Sequence, residues 1–376
     1  MLQFAIPCLL GLESLVGDEV KKLGLADVKV ENGRVLCRGE ERDLARLNIN
    51  LRCGARVLLV LASFRATDFE TLFQGTRAVR WEDWIPREGE FPVTGYSINS
   101  TLHSVPACQS IVKKAAVERL GAAYGLETLP ETGKRYQIRF SIMKDEVMLC
   151  LDASGEGLYK RGYRAVGVAA PLKETLAAAI ADLGRVRRDS LVQDPFCGSG
   201  TLVIEAAQKA LNLAPGLRRR FAAEHFDFVP AGIWAEQRQK ALDEVRKDAA
   251  FEGIGYDIDP PAVALANANA KLAGVGDRCR FEVADVREFR ALDNATVLTN
   301  PPYGERLGDA SEAASLARTL GQVWQAHPAQ GLYAITADAE FEQHFGKKAA
   351  RRRKIYNGMI PCQLYMYFEQ PKRERK

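Results

Sequence analysis

From about residue 172 onward, apolar strand-like segments alternate with helix-like segments, and this alternation restricts the fold more than any other feature of the sequence. Strands are predicted at 190–193, 253–257, 280–283 and 295–299, and helices at 172–183, 202–213 and 261–273. Strands that alternate with helices form a mostly parallel, doubly wound sheet. Ligands of such sheets bind at the carboxyl ends of the strands, so the residues that follow each predicted strand are the candidates for function.

The first 164 residues follow another pattern, in which short apolar runs and helical stretches are joined by hairpin signals. The pairs Asn32-Gly33 and Lys144-Asp145 each separate two strand-like runs, which is typical of β-hairpins. The sequence therefore predicts three parts: a split β-α-β unit over residues 1–65, a second α+β unit over 66–164 and an α/β domain over 165–376.

The first candidate motif is a glycine-containing loop between a predicted strand and a predicted helix. It consists of Asp194, Pro195, Phe196, Cys197, Gly198, Ser199, Gly200 and Thr201. Glycines in such a turn let backbone N–H groups approach a ligand closely. The loop is neither a complete G-x-G-x-x-G motif nor a phosphate-binding P-loop, because it has no P-loop lysine. It predicts a nucleotide-type site without identifying the ligand.

Two further motifs follow the next two predicted strands. An acidic residue after the second strand of a nucleotide-binding sheet commonly binds ribose hydroxyls, so we assign Asp257 to that role, with Ile258 beside it, and Asp259 to the cap of the next helix. Asp285 could accept a hydrogen bond from an adenine amine and Val286 could offer its backbone N–H, although an aspartate at a strand end is also an ordinary turn residue.

The spacing of the first two motifs requires an insertion. About 20 residues usually separate the glycine loop from the ribose-binding acid, and the separation is longer in this chain. Residues 214–250 are therefore predicted to be inserted between them.

The fourth motif, Asn300-Pro301-Pro302-Tyr303, indicates the chemistry. An exocyclic amine on a base is a poor nucleophile, because its lone pair is delocalised into the ring. The Asn300 side-chain oxygen and the Pro301 carbonyl could accept both N–H bonds and direct the lone pair towards a methyl donor. The two prolines would hold these acceptors in place, and Tyr303 would stack on a base turned out of its helix. The alternative is a rigid turn without a catalytic role.

Composition removes several classes of function. The eight cysteines form no C-x-x-C pair and the four histidines have no ligand spacing, so no metal site is predicted, and Cys197 is interpreted as a loop thiol. No apolar run approaches the ~18 residues of a membrane span, and the apolar start lacks the basic residues of an export signal. These features predict a cytoplasmic protein.

Positive charge is concentrated in a few places. The formal net charge is only +4, which permits an acidic partner without requiring one, but basic clusters occur at 218–220, 347–354 and 372–376. Such clusters are suited to phosphate contacts. A solvated surface or a solubilising tail would have the same composition.

Together the motifs resemble class I methyltransferases that modify amino groups. More narrowly, nearly the whole chain is similar to the bacterial THUMP-domain RNA guanine-N2 methyltransferases. Besides the four motifs, the resemblance rests on the junction at 152–155 and 158–164, the helix at 171–177, the insertion at 214–217 and the last hairpin at 353–358.

The resemblance implies a Rossmann-like class I methyltransferase domain preceded by a ferredoxin-like segment and a THUMP RNA-binding domain. The cofactor would be S-adenosylmethionine, held by the glycine loop, Asp257, Asp285 and the segment around Thr175, with Asn300 also adjoining it. The substrate would be structured RNA, with guanine N2 of 23S rRNA the leading target. tRNA guanine, adenine N6 and a non-catalytic RNA-binding or ribosome assembly role remain alternatives.

Overall fold

The structure, a computed structural model, describes residues 1–164, 172–230, 232–302, 310–358 and 360–368. These residues form two compact units. The first contains Met1–Cys8, Val16–Leu158 and Arg219–Lys240, and the second contains Leu9–Leu15, Tyr159–Arg218 and Ala241–Lys376. The predicted domain boundaries at 65/66 and 164/165 stay predictions.

In its described residues, the first unit contains a seven-stranded sheet, four complete helices and most of the later helix Gly232–Asp243. Its strands are β1 (Leu2–Pro7), β2 (Ala26–Glu31), β3 (Arg34–Gly39), β4 (Leu58–Arg65), β5 (Val93–Ile98), β6 (Ile138–Met143) and β7 (Glu146–Asp152). Its helices are α1 (Glu13–Lys22), α2 (Glu41–Asn50), α3 (Phe69–Arg77) and α4 (Val105–Tyr124). The strand order is β2-β3-β1-β4-β7-β6-β5, and only β5 and β6 pair in parallel.

Side-chain alternation explains these strands. In β6, Ile138, Phe140 and Ile142 are buried, while the residues between them are partly exposed. Because successive side chains of a strand point to opposite faces, such a segment buries one face. Local sequence also explains where a helix begins. The Asp68 side chain accepts a hydrogen bond from the Thr71 N–H and so caps the start of α3.

The predicted insertion contributes to the first unit through residues 219–240. The ring of Phe226 stacks on Tyr136 with 5.2 Å between the centroids, and the Ala223 N–H donates to the Ala153 carbonyl at 3.0 Å. Arg219 is buried and donates to the carbonyls of Glu156 and Gly157. The segment is therefore held by aromatic packing and hydrogen bonds to residues far away in sequence.

The second unit contains the α/β fold that the alternation predicted. Its strands are β8 (Leu191–Asp194), β9 (Glu252–Asp257), β10 (Cys279–Val283), β11 (Ala295–Thr299), β12 (Gly331–Thr336), β13 (Arg351–Asn357) and β14 (Ile360–Phe368). The helices that follow α4 are α5 (Glu174–Leu183), α6 (Thr201–Ala210), α7 (Gly232–Asp243), α8 (Pro260–Ala273), α9 (Ala310–Ala326) and α10 (Phe341–Phe345). All belong to the second unit except α7, whose residues 232–240 belong to the first.

The second sheet has the order β10-β9-β8-β11-β12-β14-β13. The first five strands pair in parallel, and β14 is antiparallel to both β12 and β13. Chain order reverses at β8, since β9 lies on one side of it and β11 on the other. Such a reversal opens a crevice at the carboxyl ends of the strands, where ligands of open α/β sheets bind. The predicted fold class is confirmed.

Two negative findings concern the described residues. No described helix has the length and hydrophobicity needed to cross a membrane. Within the same residues, histidine, cysteine and acidic side chains form no group of three that could hold a metal ion.

Candidate functional site

The four sequence motifs follow four neighbouring strands of the second sheet. Asp194 and Asp257 are the last residues of β8 and β9, and Asn300 directly follows β11. Asp194 pairs in register with Gly255, and Val283 pairs with Asp257. Because the four strands are parallel and adjacent, the motifs lie along one edge of the sheet.

The loop after β8 is held against the end of β9 by backbone hydrogen bonds. The Cys197 N–H donates to the Tyr256 carbonyl at 2.8 Å, and the Gly198 N–H donates to the Asp257 carboxylate at 2.9 Å. Gly198 has φ of +50°, and an added Cβ would meet no atom within 4 Å. The loop therefore turns an open face outward at Gly198, and only glycine adopts such a conformation without strain.

Gly200 has the opposite environment. Its φ is +82°, and an added Cβ would lie 2.8 Å from the ring of Phe281. Thr201 begins α6, and Asn269 donates to the carbonyl of Ser199 at 3.0 Å. This side of the loop is fixed by packing, and the Gly198 side is the one available to a ligand.

Asp257 is partly exposed, and both of its oxygens accept backbone hydrogen bonds. Besides the bond from Gly198, the Asp259 N–H donates to Oδ1 at 3.0 Å. An ionised carboxylate has about four acceptor positions, so Asp257 can also accept ribose hydroxyls. Asp259 occupies the cap position of α8 as predicted, but its side chain makes no capping hydrogen bond. Ile258, between them, is 68% exposed.

Asp194 is almost fully buried. Burial raises the pKa of Asp194 from its ordinary value near 3.8 to about 7, and the neighbouring Asp257 carboxylate acts in the same direction. The Phe196 N–H opposes this shift by donating to Asp194 at 3.0 Å. A cation placed at this edge would favour the ionised form of Asp194.

Asp285 differs from both of these carboxylates. It lies beyond the end of β10 and caps a short 3₁₀ turn, and its oxygens accept the backbone N–H and the guanidinium of Arg287. These hydrogen bonds lower the pKa of Asp285 to about 2. Val286 is buried. Both residues lie near the end of β10, but the Asp285 carboxylate is already paired within the protein.

The corner after β11 exposes its residues unequally. Asn300 is partly exposed, Pro301 is buried and Pro302 is exposed. The buried proline fixes the backbone on which Asn300 stands. Tyr303 lies outside the described residues.

Arg164, which was not predicted to be a site residue, supports α5 and α6. Arg164 donates to the Thr201 hydroxyl at 2.7 Å and to the Leu172 carbonyl at 2.9 Å, and its guanidinium lies 3.6 Å from the Glu174 carboxylate. Thr175, which follows Glu174, is buried. Arg164 therefore ties the start of α6 to the start of α5.

A second buried ion pair lies deeper in α6. The Arg161 guanidinium is 3.5 Å from the Glu205 carboxylate, and the Tyr163 hydroxyl donates to the same oxygen at 3.1 Å. All three side chains are buried. The only signal in the sequence was the junction at 158–164, whose resemblance to a known family does not reveal these contacts.

The arrangement fits S-adenosylmethionine, a nucleoside that carries a positive charge. Asp257 can accept ribose hydroxyls, the open face at Gly198 leaves room for a ligand, and Asp194 can offer a carboxylate to a cationic group. The fold and this edge define a class I methyltransferase that uses S-adenosylmethionine.

Comparison with known proteins gives the family. The methyltransferase-domain model described as RMKL-like matches residues 161–366. The RlmL ferredoxin-like domain matches residues 3–58, and the THUMP domain matches residues 66–152. The chain therefore belongs to the RMKL-like methyltransferases.

Two curated relatives carry names of RNA methyltransferases. YpsC of Bacillus subtilis is 40% identical over 98% of this chain and 96% of its own length. A ribosomal RNA large subunit methyltransferase K/L from Syntrophotalea carbinolica is 35% identical over 94% of this chain. This chain spans about half of the K/L protein, 52% of its length.

Two crystal structures share the whole fold. SMU.472, solved with S-adenosylhomocysteine, is 37% identical and covers 98% of both chains with a TM-score of 0.91. A Listeria monocytogenes protein is 43% identical, with a TM-score of 0.92 over 98% of this chain and 96% of its own, and is named as an N6-adenine-specific DNA methylase. The names of these relatives disagree about the target.

Proposed function

We propose that this chain transfers the methyl group of S-adenosylmethionine to the exocyclic N2 amine of a guanine in RNA, with 23S rRNA as the leading target. The observation that carries the proposal is the position of Asn300 and Pro301 directly after β11, the strand beside β8 and its glycine loop. An amine held at this corner would adjoin the cofactor loop.

The cofactor supplies a methyl group on a positively charged sulfur. Asn300 Oδ1 and the Pro301 carbonyl accept the two N–H bonds of the target amine, which directs its lone pair towards that methyl group. The methyl carbon–sulfur bond would break as the carbon–nitrogen bond forms, with S-adenosylhomocysteine as the leaving group. The amine would then release one proton to water, so no strong base is needed beforehand. Pro301 and Pro302 keep the acceptors aimed, and Tyr303 provides a stacking surface for the base.

The choice of RNA rests on the THUMP match and on the names of the two curated relatives. Adenine N6 is the second candidate, because the same acceptor pair suits that amine and the Listeria protein carries an adenine methylase name. A guanine in tRNA would use the same corner. These targets differ in which methylated nucleoside they produce and in which RNA it occurs.

Mass spectrometry of nucleosides from a deletion strain tests the proposal. We expect N2-methylguanosine to fall in 23S rRNA, to return with the wild-type gene and to stay low with Asn300→Ala. Loss of N6-methyladenosine instead, or loss of N2-methylguanosine from tRNA alone, would select one of the other targets. A protein that fails to bind S-adenosylmethionine in a calorimetric titration would be a non-catalytic RNA-binding or assembly factor.

A further inference from the structure

One segment of the second unit carries more positive charge than the chain as a whole. Between Gly346 and Asn357 there are six lysines and arginines and no acidic residue. The chain has a net charge of +4, so all its other residues together sum to −2. The positive charge is therefore local, and its location is a property of the fold.

The arginines at 218–220 form a basic cluster whose side chains interact with other groups of the protein. Arg218 donates to the Leu272 carbonyl, Arg219 is buried against backbone carbonyls, and Arg220 pairs with Glu224 at 3.0 Å. Arg219 is therefore committed to the fold, whereas Arg218 and Arg220 are exposed but already have partners within the protein.

The basic cluster at 347–354 is more exposed and has fewer partners among the residues that the structure describes. Lys347, Lys348, Arg351 and Lys354 are exposed, and none of the four forms an ion pair with another described residue. Among the six cations of the segment, only Arg352 does so, with Glu342 at 3.6 Å. We name the four exposed residues without an ion pair the β13 basic strip.

Arg351 and Lys354 of the strip lie on β13, the edge strand on the target side of the sheet, and Lys347 and Lys348 lie in the segment that precedes β13. Thr299, which precedes Asn300, pairs with Ala334 of β12, and Ala334 pairs with Tyr365 of β14, which pairs with Arg352 of β13. Three strand spacings of about 4.8 Å place β13 roughly 14 Å from β11. Lys354 lies two residues further towards the carboxyl edge. Lys354 can therefore meet nucleotides near the target base, and the other three residues of the strip lie further from this edge, where a longer RNA can reach them.

Protection of a sheet edge is the ordinary reason for lysines on an outer strand. Here the carbonyl of Lys354 is already closely approached by the segment Leu9–Leu15 of the same unit, since a Cβ added to Gly11 would lie 2.6 Å from it. Because another segment of the chain already covers the edge strand at Lys354, the positive charge is not needed there to keep a second chain from pairing with it.

We propose that the β13 basic strip binds phosphates of the RNA that flank the target nucleotide. The inference rests on the proposed function for the identity of the partner, and it adds a second surface besides the THUMP domain. Contacts to phosphates position a nucleic acid without reading its sequence. The strip would thus raise RNA affinity and leave cofactor binding unchanged.

The test compares two quadruple variants. One replaces Lys347, Lys348, Arg351 and Lys354 by glutamine. The control replaces Arg187, Arg188, Lys247 and Lys271 by glutamine; these four are exposed and lie before β8, before β9 and in the last turn of α8, towards the amino ends of the strands. Both changes remove the same charge from the same unit. The RNA is protein-free 23S rRNA from the deletion strain, assayed at several salt concentrations for binding and for methyl transfer.

Each phosphate contact contributes about 0.7–0.9 to the slope of log affinity against log salt concentration. We expect the strip variant to lower that slope by about 2–3 and to lower RNA affinity at least tenfold near 0.15 M salt. The control should keep the wild-type slope, and both variants should bind S-adenosylhomocysteine as the wild type does.

Equal slopes for the strip variant and the control would overturn the inference, as would aggregation of the strip variant with unchanged RNA affinity, which would indicate edge protection. If the wild type bound this RNA without methylating it, the proposed target would fail while the binding comparison still decided the role of the strip.

Discussion

The loop after β8 and the corner after β11 follow neighbouring strands of one sheet, yet they are held by different interactions. The loop is fixed by hydrogen bonds to β9, including the bond from Gly198 to Asp257. The corner is fixed by covalent restriction, because Pro301 and Pro302 limit the backbone. A loop that is hydrogen-bonded to its neighbours suits the binding of a large cofactor, which many groups must contact. A rigid corner suits the two acceptor oxygens of Asn300 and Pro301, which must point at the target amine. Substitutions at the two places can test this division between cofactor binding and chemistry.

The largest effect is expected at the corner. Asn300→Ala removes a proposed acceptor of the target amine and should lower kcat by about 10²–10³-fold, the usual cost of losing one aimed polar group. Asn300→Asp keeps an acceptor oxygen and should retain more activity. Single-turnover methyl transfer measures the loss, and calorimetry with S-adenosylhomocysteine measures cofactor affinity. An equal loss in cofactor affinity would mean that the corner contributes to cofactor binding as well as to methyl transfer.

The next largest effect is expected at the end of β9. Asp257→Ala removes the carboxylate that would accept the ribose hydroxyls, and hydrogen bonds to a charged group contribute about 1.5–3 kcal/mol each. The dissociation constant of S-adenosylhomocysteine should rise about 10–100-fold. Asp259→Ala is the matched control two residues away and should change it little. If both variants changed the dissociation constant to the same extent, Asp257 would not be the ribose-binding residue.

A smaller effect is expected from Arg164, a positioning residue that acts through Thr201 and Glu174. Arg164→Ala should raise KM for S-adenosylmethionine by about tenfold, because small displacements of a binding loop weaken the site, while KM for RNA stays unchanged. Arg164→Lys should restore part of the loss. The control is Arg188→Ala, since Arg188 is exposed and pairs only with Asp248 among the described residues. A lower Tm with unchanged KM would show a purely structural role.

The smallest effect is expected in the pH dependence of cofactor binding. Asp194, with its pKa raised to about 7, is protonated in much of the free protein below that pH and must lose the proton to pair with a cation. Affinity for S-adenosylmethionine should therefore fall by up to about tenfold between pH 8 and pH 6. Asp194→Asn should bind weakly at both values. A wild-type affinity independent of pH would exclude Asp194 as the cation's partner.

The positions of the strand ends were predictable because they depend on short-range patterns. The strand at 295–299 was predicted with the bounds that the structure has, and the helix at 261–273 begins one residue earlier, at Pro260. Apolar runs and proline or glycine boundaries fix such elements locally. Asp257 and Asn300 could be selected for the same reason, since each directly ends or follows an apolar strand.

Other features were not predicted from the sequence because they depend on how side chains are placed in space. Arg164 was part of a quoted junction, but only the structure brings it to Thr201, 37 residues away. Asp285 was assigned an open acceptor role, and the structure pairs it with Arg287. Arg287 is two residues further along the chain, but a sequence does not show which way a side chain turns.

The sequence by itself determined the alternation of strands and helices, the polar residues that end the strands, and the family. The first two are local properties, since each follows from a few consecutive residues, whereas the family follows from a resemblance over nearly the whole chain. Only the tertiary structure decided that Arg219 is buried while Lys354 is exposed, and that residues 219–240 belong to the first compact unit. Burial and pairing depend on which distant segments meet, because the free energy of a charged group is set by its neighbours in space and not by its neighbours along the chain.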